Sequence, residues 1–264
     1  MNKGTKEGTD EEIKFVRTLN KDKVNEIWSK LIPSTDSSND FYMIHVCGGQ
    51  YGKINSEKIK PKADVYVAKG HIEEGYLKKK NYYLDEKDVD LLGLSKCDNT
   101  GISIKRTDSS QYQIMKISPN TFKKLFGSFE LGAGASIFCK RTDDLEKNGM
   151  VLKGWNTNWK EFEEYFNMIG DVVSLKDPSK SSEVRLKIAK KVKDKAAQTI
   201  KDKIDRNKWL SDFVFKGVGN FDEPYTIHWI YVHGIFKQAG PEPFKVTTGS
   251  GRTHGDFTIV IKPI

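Results

Sequence analysis

A continuous apolar run at residues 41–47, FYMIHVC, is the feature that most constrains the fold of this chain. A short run of this kind, without alternating polar positions, is typical of a strand buried inside a sheet. Two further strands are predicted, DVYVA at 64–68 and GISIK at 101–105, and β-like patterns recur at 226–236 and 256–264. These strands and the helices that separate them predict an α/β fold. We expect a mixed central sheet flanked by helices, with additional C-terminal strands.

Helical patterns occupy much of the remaining chain. In residues 9–31, Thr9 and Glu12 stand at capping-box spacing before apolar residues at helical intervals. A second helix is predicted at 158–170, where Gly170 ends it. The longest pattern covers 183–210 and has a lysine-rich face. Its apolar residues recur at every fourth position: Ile188, Val192, Ala196, Ile200 and Ile204.

Two segments are expected to lack a regular helix or strand. Residues 70–100 are polar and rich in lysine, and we interpret them as an inserted hairpin or loop. The glycine-rich segment LGAGAS at 131–136 lacks the GxxxxGK[ST] pattern of a phosphate-binding loop. It is therefore predicted to be a tight turn beside packed backbone.

Charge and composition narrow the classes of function. The chain has 44 Lys and Arg against 36 Asp and Glu, a net charge of +8, which favours a polyanionic partner. Three cysteines without a CxxC pair and five histidines without HExxH give no support to a disulfide framework or a zinc site. No apolar run approaches the ~18 residues of a membrane span, and the polar N-terminus lacks a secretory h-region. We expect a cytoplasmic globular protein with no membrane partner.

Three residues on two predicted strands form a candidate chemical site. Asp64 begins one strand, while Ser103 and Lys105 lie on the same face of another because side chains alternate along a strand. If the two strands are neighbours, a carboxylate, a hydroxyl and an amine converge. Asp64 would then hold Mg²⁺, and Lys105 would stabilise charge at a phosphate undergoing hydrolysis.

The order of these segments resembles the PD-(D/E)xK nuclease superfamily, in the version found in small type II restriction endonucleases. The matching pieces are GTDEEIKFVRTLN, PKADVYVA and GISIKRTDSSQYQIMKISPNTFKKLF, within about residues 8–126. The resemblance implies a restriction-endonuclease-like fold, Mg²⁺ as cofactor, and catalytic roles for Asp64 and Lys105. Ser103 stands where most members have an acidic residue.

The resemblance also implies further site residues. Glu12, or its neighbour Glu11, matches the helix glutamate that often completes the metal shell, and Gln113 matches a polar residue after the lysine strand. Asp90 is an alternative metal aspartate, because it precedes Ser103 by a more ordinary interval than Asp64 does. We favour Asp64, since it begins the cleaner strand, whereas the sequence around Asp90 has a helix or loop pattern.

The predicted partner is double-stranded DNA. Lys191 and Lys195 on the long helix are candidate phosphate contacts, and Arg252 in a glycine-rich loop is a candidate for a bidentate contact to guanine. The expected activity is Mg²⁺-dependent hydrolysis of DNA at a specific short sequence. A cognate DNA methyltransferase, as genetic partner in a prokaryotic restriction system, would protect host DNA. The sequence leaves monomer and homodimer open.

The domain organisation predicted from the sequence is a single nuclease domain over residues 1–264. Its catalytic core would cover about 8–140, and residues 141–264 would add helical and β elements for DNA recognition. Two other functions stay open. One is a non-catalytic basic protein that binds DNA or RNA, in which Ser103 and Lys105 are only structural. The other is a repair or phage nuclease without sequence specificity.

Overall fold

The computed structural model describes residues 3–33, 36–47, 62–105, 112–137, 145–249 and 257–264. The chain forms two compact units, each made of two segments. Unit 1 contains residues 1–110 and 215–241, and unit 2 contains residues 111–214 and 242–264. Residues 215–241 therefore belong with the segment that carries Asp64 and Lys105, a grouping that the linear pattern did not indicate.

Unit 1 is built on a six-stranded mixed sheet. The strands pair in the order β1-β2-β4-β6-β7, and β3 also pairs with β2. The β4–β6 pair is parallel and the other pairs are antiparallel. The elements of this unit are α1 (Lys3–Lys21), α2 (Glu26–Leu31), β1 (Phe41–His45), β2 (Val65–Lys69), α3 (Glu74–Lys79), α4 (Glu86–Leu92), β3 (Ser95–Lys96), β4 (Ile102–Lys105), β6 (Trp229–Val232) and β7 (Ile235–Gln238).

Helices cover both faces of this sheet, which explains the continuous apolar run in β1. Successive side chains of a strand point to opposite faces. Phe41 and Met43 pack with α1 and α2 in one apolar cluster, whereas Tyr42 and Ile44 pack with α3 and α4 in another. All five residues of β1 are buried. The predicted α/β class with a mixed sheet flanked by helices is confirmed.

The helix predicted for residues 9–31 is interrupted. Helix α1 ends at Lys21, and α2 begins at Glu26 after Asn25, whose side chain accepts a hydrogen bond from the Ile27 amide. The indole Nε1 of Trp28 donates to the carbonyl oxygens of Leu19 and Asp22, each at 3.1 Å. In a continuous helix, backbone N–H groups would bond these carbonyl oxygens. Here the indole bonds them instead, and so stabilises the bend.

The irregular structure predicted for residues 70–100 is wrong. The segment contains α3, α4 and the short strand β3. The side chains of Asp85 and Asp88 form a reciprocal capping box at the start of α4, and Gly93 ends that helix in the left-handed conformation. The two helices are only six and seven residues long, so their apolar periodicity is too short to stand out from the surrounding lysines.

Unit 2 combines helices with a three-stranded antiparallel sheet in the order β5-β9-β8. The apolar face of α9 is buried. The elements of this unit are β5 (Met115–Ile117), α5 (Pro119–Phe126), α6 (Phe129–Ser136), α7 (Leu145–Gly154), α8 (Trp159–Phe166), α9 (Ser182–Arg206), α10 (Lys208–Lys216), β8 (Phe244–Thr248) and β9 (Ile259–Pro263). The last two residues of α10 lie at the boundary with unit 1.

The glycine-rich segment 131–136 is part of helix α6, so the predicted tight turn is wrong. The glycines nevertheless have a packing reason. A Cβ on Gly132 would lie 2.2 Å from the Trp155 ring, and one on Gly134 would lie 2.3 Å from the Phe166 ring. Glycine here permits close approach of two aromatic rings to the helix backbone, and burial of those rings offsets the poor helix propensity of glycine.

Gly101 sets the entry of the chain into β4, the strand that carries Ser103 and Lys105. A Cβ at this position would lie 1.8 Å from the Thr226 carbonyl oxygen, a backbone atom that cannot move away easily. We expect Gly101→Ala to lower the free energy of unfolding by about 3 kcal/mol. Gly75→Ala in helix α3 is the matched control, because nothing lies within 4 Å of its added methyl group. Urea denaturation should show this control unchanged or slightly stabilised, and equal destabilisation of both variants would contradict the packing argument.

Candidate active site

The strands that carry the predicted site residues are neighbours in the sheet. Val65 of β2 pairs with Ile102 of β4, and the Asp64 amide donates to the Ile102 carbonyl oxygen at 2.9 Å. On its other side, the Asp64 carbonyl oxygen accepts from the Val46 amide at 3.0 Å. Backbone hydrogen bonds to both neighbouring strands therefore fix Asp64 just before β2 begins. The expectation that Asp64 and Ser103 converge is confirmed.

The Asp64 carboxylate is held through one of its two oxygens. Oδ2 accepts from the Ser103 hydroxyl at 3.0 Å and from the Ile104 amide at 2.7 Å. Among the described residues, none donates a hydrogen bond to Oδ1. Ser103, which is buried, thus acts as a donor that orients the carboxylate. Burial raises the pKa of Asp64 and outweighs both the attraction of Lys105 and these hydrogen bonds.

Two lysines contribute to the electrostatics around Asp64. Lys105 lies close enough to favour the ionised form of the Asp64 carboxyl group. Lys62, two residues before Asp64, has a pKa well below its usual range because of burial and the positive charge of Lys105. Because Lys105 favours the ionised carboxylate and disfavours the charged form of Lys62, it is the ammonium group best placed to act beside Asp64.

Glu12, which lies on helix α1, is the next residue of the candidate site. Its carboxylate disfavours ionisation of Asp64, as expected for two negative groups brought close together. Glu12 Oε2 lies 3.0 Å from His45 Nε2, and none of the described residues donates to Oε1. Glu12, and not Glu11, is among the groups that shift the pKa of Asp64, so Glu12 is the better candidate of the two. Glu12, Asp64, Ser103 and Lys105 are hereafter the Asp64 cluster.

His45 is a site residue that the sequence did not reveal. It ends β1 within the apolar run, and the pattern there predicts only a buried strand residue. Its Nδ1 lies 2.8 Å from the Tyr83 hydroxyl, and its Nε2 faces Glu12. The only signal in the sequence is a histidine at the end of an otherwise apolar strand. Such a signal cannot identify Glu12 or Tyr83 as partners, because they come from distant parts of the chain.

An open cleft of about 280 Å³ lies beside Lys105. Its walls come from α1, α2 and the strands β4 and β6. The residues lining it are Glu11, Lys14, Phe15, Thr18, Leu19, Asn25, Ile27, Ile104, Lys105 and Tyr231. Lys105 of the Asp64 cluster therefore lines this cleft. Together with Lys14, it gives the cleft two lysine side chains.

The remaining predicted site residues are Asp90, Gln113, Lys191, Lys195 and Arg252. Asp90 is exposed on helix α4, and its side chain is not among the groups that interact with Asp64. Gln113 is an exposed residue of unit 2 just before β5. Lys191 and Lys195 are exposed on α9. Arg252 lies outside the described residues.

The donors of the Asp64 cluster can be compared with what a metal ion requires. Within the described part of the chain, no three or more His, Cys, Asp and Glu side chains form a group that could hold a metal ion. Two carboxylates, Asp64 and Glu12, each have one oxygen that no described residue bonds. Mg²⁺ prefers oxygen ligands and is commonly bound by one or two carboxylates with several waters. Asp64 and Glu12 are the oxygen donors of this cluster that could contribute to such a site, and they do not make up a site built entirely from protein ligands.

Comparison of the chain with family models, with curated proteins and with solved structures gives no significant match. Among the helices that the structure describes, none combines the length and the apolar character needed to cross a membrane.

Proposed function

We propose that this chain is a type II restriction endonuclease with a restriction-endonuclease-like fold. It would hydrolyse phosphodiester bonds of double-stranded DNA at a specific short sequence, with Mg²⁺ as cofactor. The observation that carries the proposal is the Asp64 carboxylate, which accepts hydrogen bonds from the Ser103 hydroxyl and the Ile104 amide; Lys105 favours its ionisation and Glu12 disfavours it. A chain of this composition has many lysines, but an amine beside two interacting carboxylates is the combination that metal-assisted phosphodiester hydrolysis needs.

Each residue of the Asp64 cluster has a separate task in this reaction. The carboxylates of Asp64 and Glu12 would hold Mg²⁺, which would neutralise charge on the scissile phosphate and favour ionisation of the attacking water. The Ser103 hydroxyl and the Ile104 amide orient the Asp64 carboxylate through Oδ2. Lys105 stabilises the negative charge that develops on the phosphate oxygens in the transition state.

The raised pKa of Asp64 also supports a cation site. Burial and the nearby Glu12 carboxylate both disfavour the charged form of Asp64, so the unliganded cluster carries unfavourable electrostatic energy. A divalent cation would relieve this repulsion, and its affinity should therefore rise as Asp64 ionises. A pKa shifted by burial and by a like charge is characteristic of functional sites.

The positive charge of the chain supports DNA as substrate. A net charge of +8 supplies the sequence-independent attraction to phosphates, for which the exposed Lys191 and Lys195 are candidates. Arg252 remains our candidate for base readout. In a prokaryotic restriction system, a cognate DNA methyltransferase would modify the same sequence, and a homodimer would match the two-fold symmetry of a palindromic site.

Incubation of the protein with phage DNA in Mg²⁺, with EDTA as control, tests this proposal directly. We expect discrete fragments in Mg²⁺ and intact DNA in EDTA. A smear would indicate a non-specific repair or phage nuclease and would contradict cleavage at a specific sequence. Intact DNA in Mg²⁺, together with a mobility shift that shows binding, would overturn the proposal in favour of a non-catalytic nucleic-acid-binding protein.

A further inference from the structure

The side chains of Tyr83, His45 and Glu12 form a hydrogen-bonded chain that ends at the Asp64 cluster. The Tyr83 hydroxyl lies 2.8 Å from His45 Nδ1, and His45 Nε2 lies 3.0 Å from Glu12 Oε2. The Tyr83 and His45 rings also meet edge to face, with centroids 5.7 Å apart. The His45 side chain is only 6 % exposed, so the imidazole has little freedom to turn away from Glu12.

Backbone hydrogen bonds connect the strand segment that contains His45 to Asp64. The His45 amide donates to the Leu84 carbonyl oxygen at 2.9 Å, and the next amide, of Val46, donates to the Asp64 carbonyl oxygen at 3.0 Å. In the β1–β2 ladder, His45 is paired with Val65, the residue after Asp64. The backbone of His45 therefore has a fixed position relative to that of Asp64, whereas Glu12 lies on helix α1.

The chemistry of the groups sets the direction of the two hydrogen bonds. A phenol has a pKa of about 10 and keeps its proton at neutral pH, so the Tyr83 hydroxyl can donate to Nδ1. A neutral imidazole that accepts at Nδ1 carries its proton on Nε2. His45 Nε2 then donates to the Glu12 carboxylate, occupies Oε2, and leaves Oε1 for a cation.

The position of Glu12 depends on such support because its side chain is 23 % exposed, so that rotation toward solvent is open to it. The bond from His45 opposes that rotation. Groups that hydrogen-bond metal-ligating side chains orient those ligands and commonly change metal affinity when they are removed.

We propose that His45, oriented by Tyr83, is a positioning residue that holds Glu12 beside Asp64 for binding of a divalent cation. This inference rests on the proposed function, because it assigns a role within the same Mg²⁺ site. It adds two residues, His45 and Tyr83, that the resemblance to nucleases did not indicate.

Direct titration of the protein with Mn²⁺, without DNA, by calorimetry tests the role of His45. We expect His45→Ala to weaken Mn²⁺ binding by about 10- to 100-fold. His45→Gln should restore most of the affinity, because its amide nitrogen can donate from nearly the position of Nε2. Tyr83→Phe removes the hydroxyl that orients the imidazole and should give a smaller loss than His45→Ala.

His71→Ala is the matched control. This histidine also lies beside a glutamate, Glu73, at 3.3 Å, but both side chains are well exposed. Its removal should leave Mn²⁺ affinity unchanged. In cleavage assays, the Mg²⁺ concentration for half-maximal rate should rise in His45→Ala, while the rate at saturating Mg²⁺ recovers. A purely structural role would lower the rate at every Mg²⁺ concentration.

The outcomes separate this inference from the function on which it rests. If the unaltered protein binds no Mn²⁺ and cleaves no DNA in Mg²⁺, the proposed function fails. If it binds Mn²⁺ and His45→Ala binds it equally well, only the positioning role is overturned. If His45→Ala does not fold, Tyr83→Phe decides, and unchanged Mn²⁺ affinity in that variant overturns the proposal.

Discussion

Replacement of Asp64 by asparagine is expected to abolish DNA cleavage and, at the same time, to stabilise the metal-free protein. Asparagine lacks the charge that we propose to bind Mg²⁺, so kcat/KM should fall by about 1000-fold or more. The fold should tolerate the change, because the amide oxygen of asparagine can accept the same bonds from Ser103 and the Ile104 amide. DNA binding in EDTA should be largely retained.

The gain in stability follows from the direction of the Asp64 pKa shift. Burial raises the pKa of Asp64 above its ordinary value of 3.8, so the folded protein disfavours the ionised form relative to the unfolded chain. In acid below that ordinary value, the carboxyl group is protonated in both states and carries no such cost. The cost grows as the pH rises through the raised folded-state pKa, and it is complete above it. Asp64→Asn removes the cost, so its excess in melting temperature should be largest at neutral pH and should shrink toward acid.

Thermal denaturation with and without Mg²⁺ measures both effects. A cation present at 100 times its dissociation constant stabilises a protein by about 2.7 kcal/mol, and we expect a shift in melting temperature on adding Mg²⁺ only when Asp64 is intact. Asp90→Asn is the matched control, because Asp90 is exposed on α4, and it should cleave normally. Normal cleavage by Asp64→Asn together with loss of cleavage in Asp90→Asn would transfer the metal-binding role to Asp90.

Local patterns were sufficient to predict the central strands, whereas Glu12 was named only by the resemblance and His45 by neither. The apolar run at 41–47 and the alternation at 64–68 and 101–105 correspond to β1, β2 and β4. Burial of one or both faces of a strand determines which of its positions are apolar, so such strands can be recognised in the sequence. Period-two alternation also placed Ser103 and Lys105 on one face. The convergence of these residues with Asp64 and Glu12 then followed from the expected neighbouring strands and from the resemblance.

Features that depend on distant pairing could not be predicted in this way. Strand β6 joins the sheet by parallel pairing with β4, for example Ile102 with Trp229, and no short pattern records a partner so far along the chain. The role of His45 requires α1 and the segment before α4 to meet at the end of β1. The bend between α1 and α2 depends on where the Trp28 indole finds its acceptors, which apolar spacing does not report.

Replacement of Lys105 by alanine is expected to reduce cleavage by about 100- to 1000-fold, the cost of losing one group that stabilises transition-state charge. Lys105 also lowers the pKa of Asp64, so its loss should raise that pKa further. Nonspecific DNA binding should weaken only modestly, with a decrease of about one in the slope of affinity against salt.

Lys14→Ala provides the control for charge in the Lys105 experiment. Lys14 lines the same cleft and has the same charge, but it is an exposed residue of α1 and is not among the groups that shift the pKa of Asp64. We expect Lys14→Ala to cleave within a few-fold of the unaltered protein, as measured by single-turnover rates at saturating DNA. Equal losses in both variants would mean that the cleft needs positive charge in general, and Lys105 would lose its specific role. If Lys105→Ala alone is impaired, the position of its ammonium beside Asp64 decides the rate. Lys105→Arg should then recover only part of that rate, because the guanidinium keeps the charge but is larger and differently shaped.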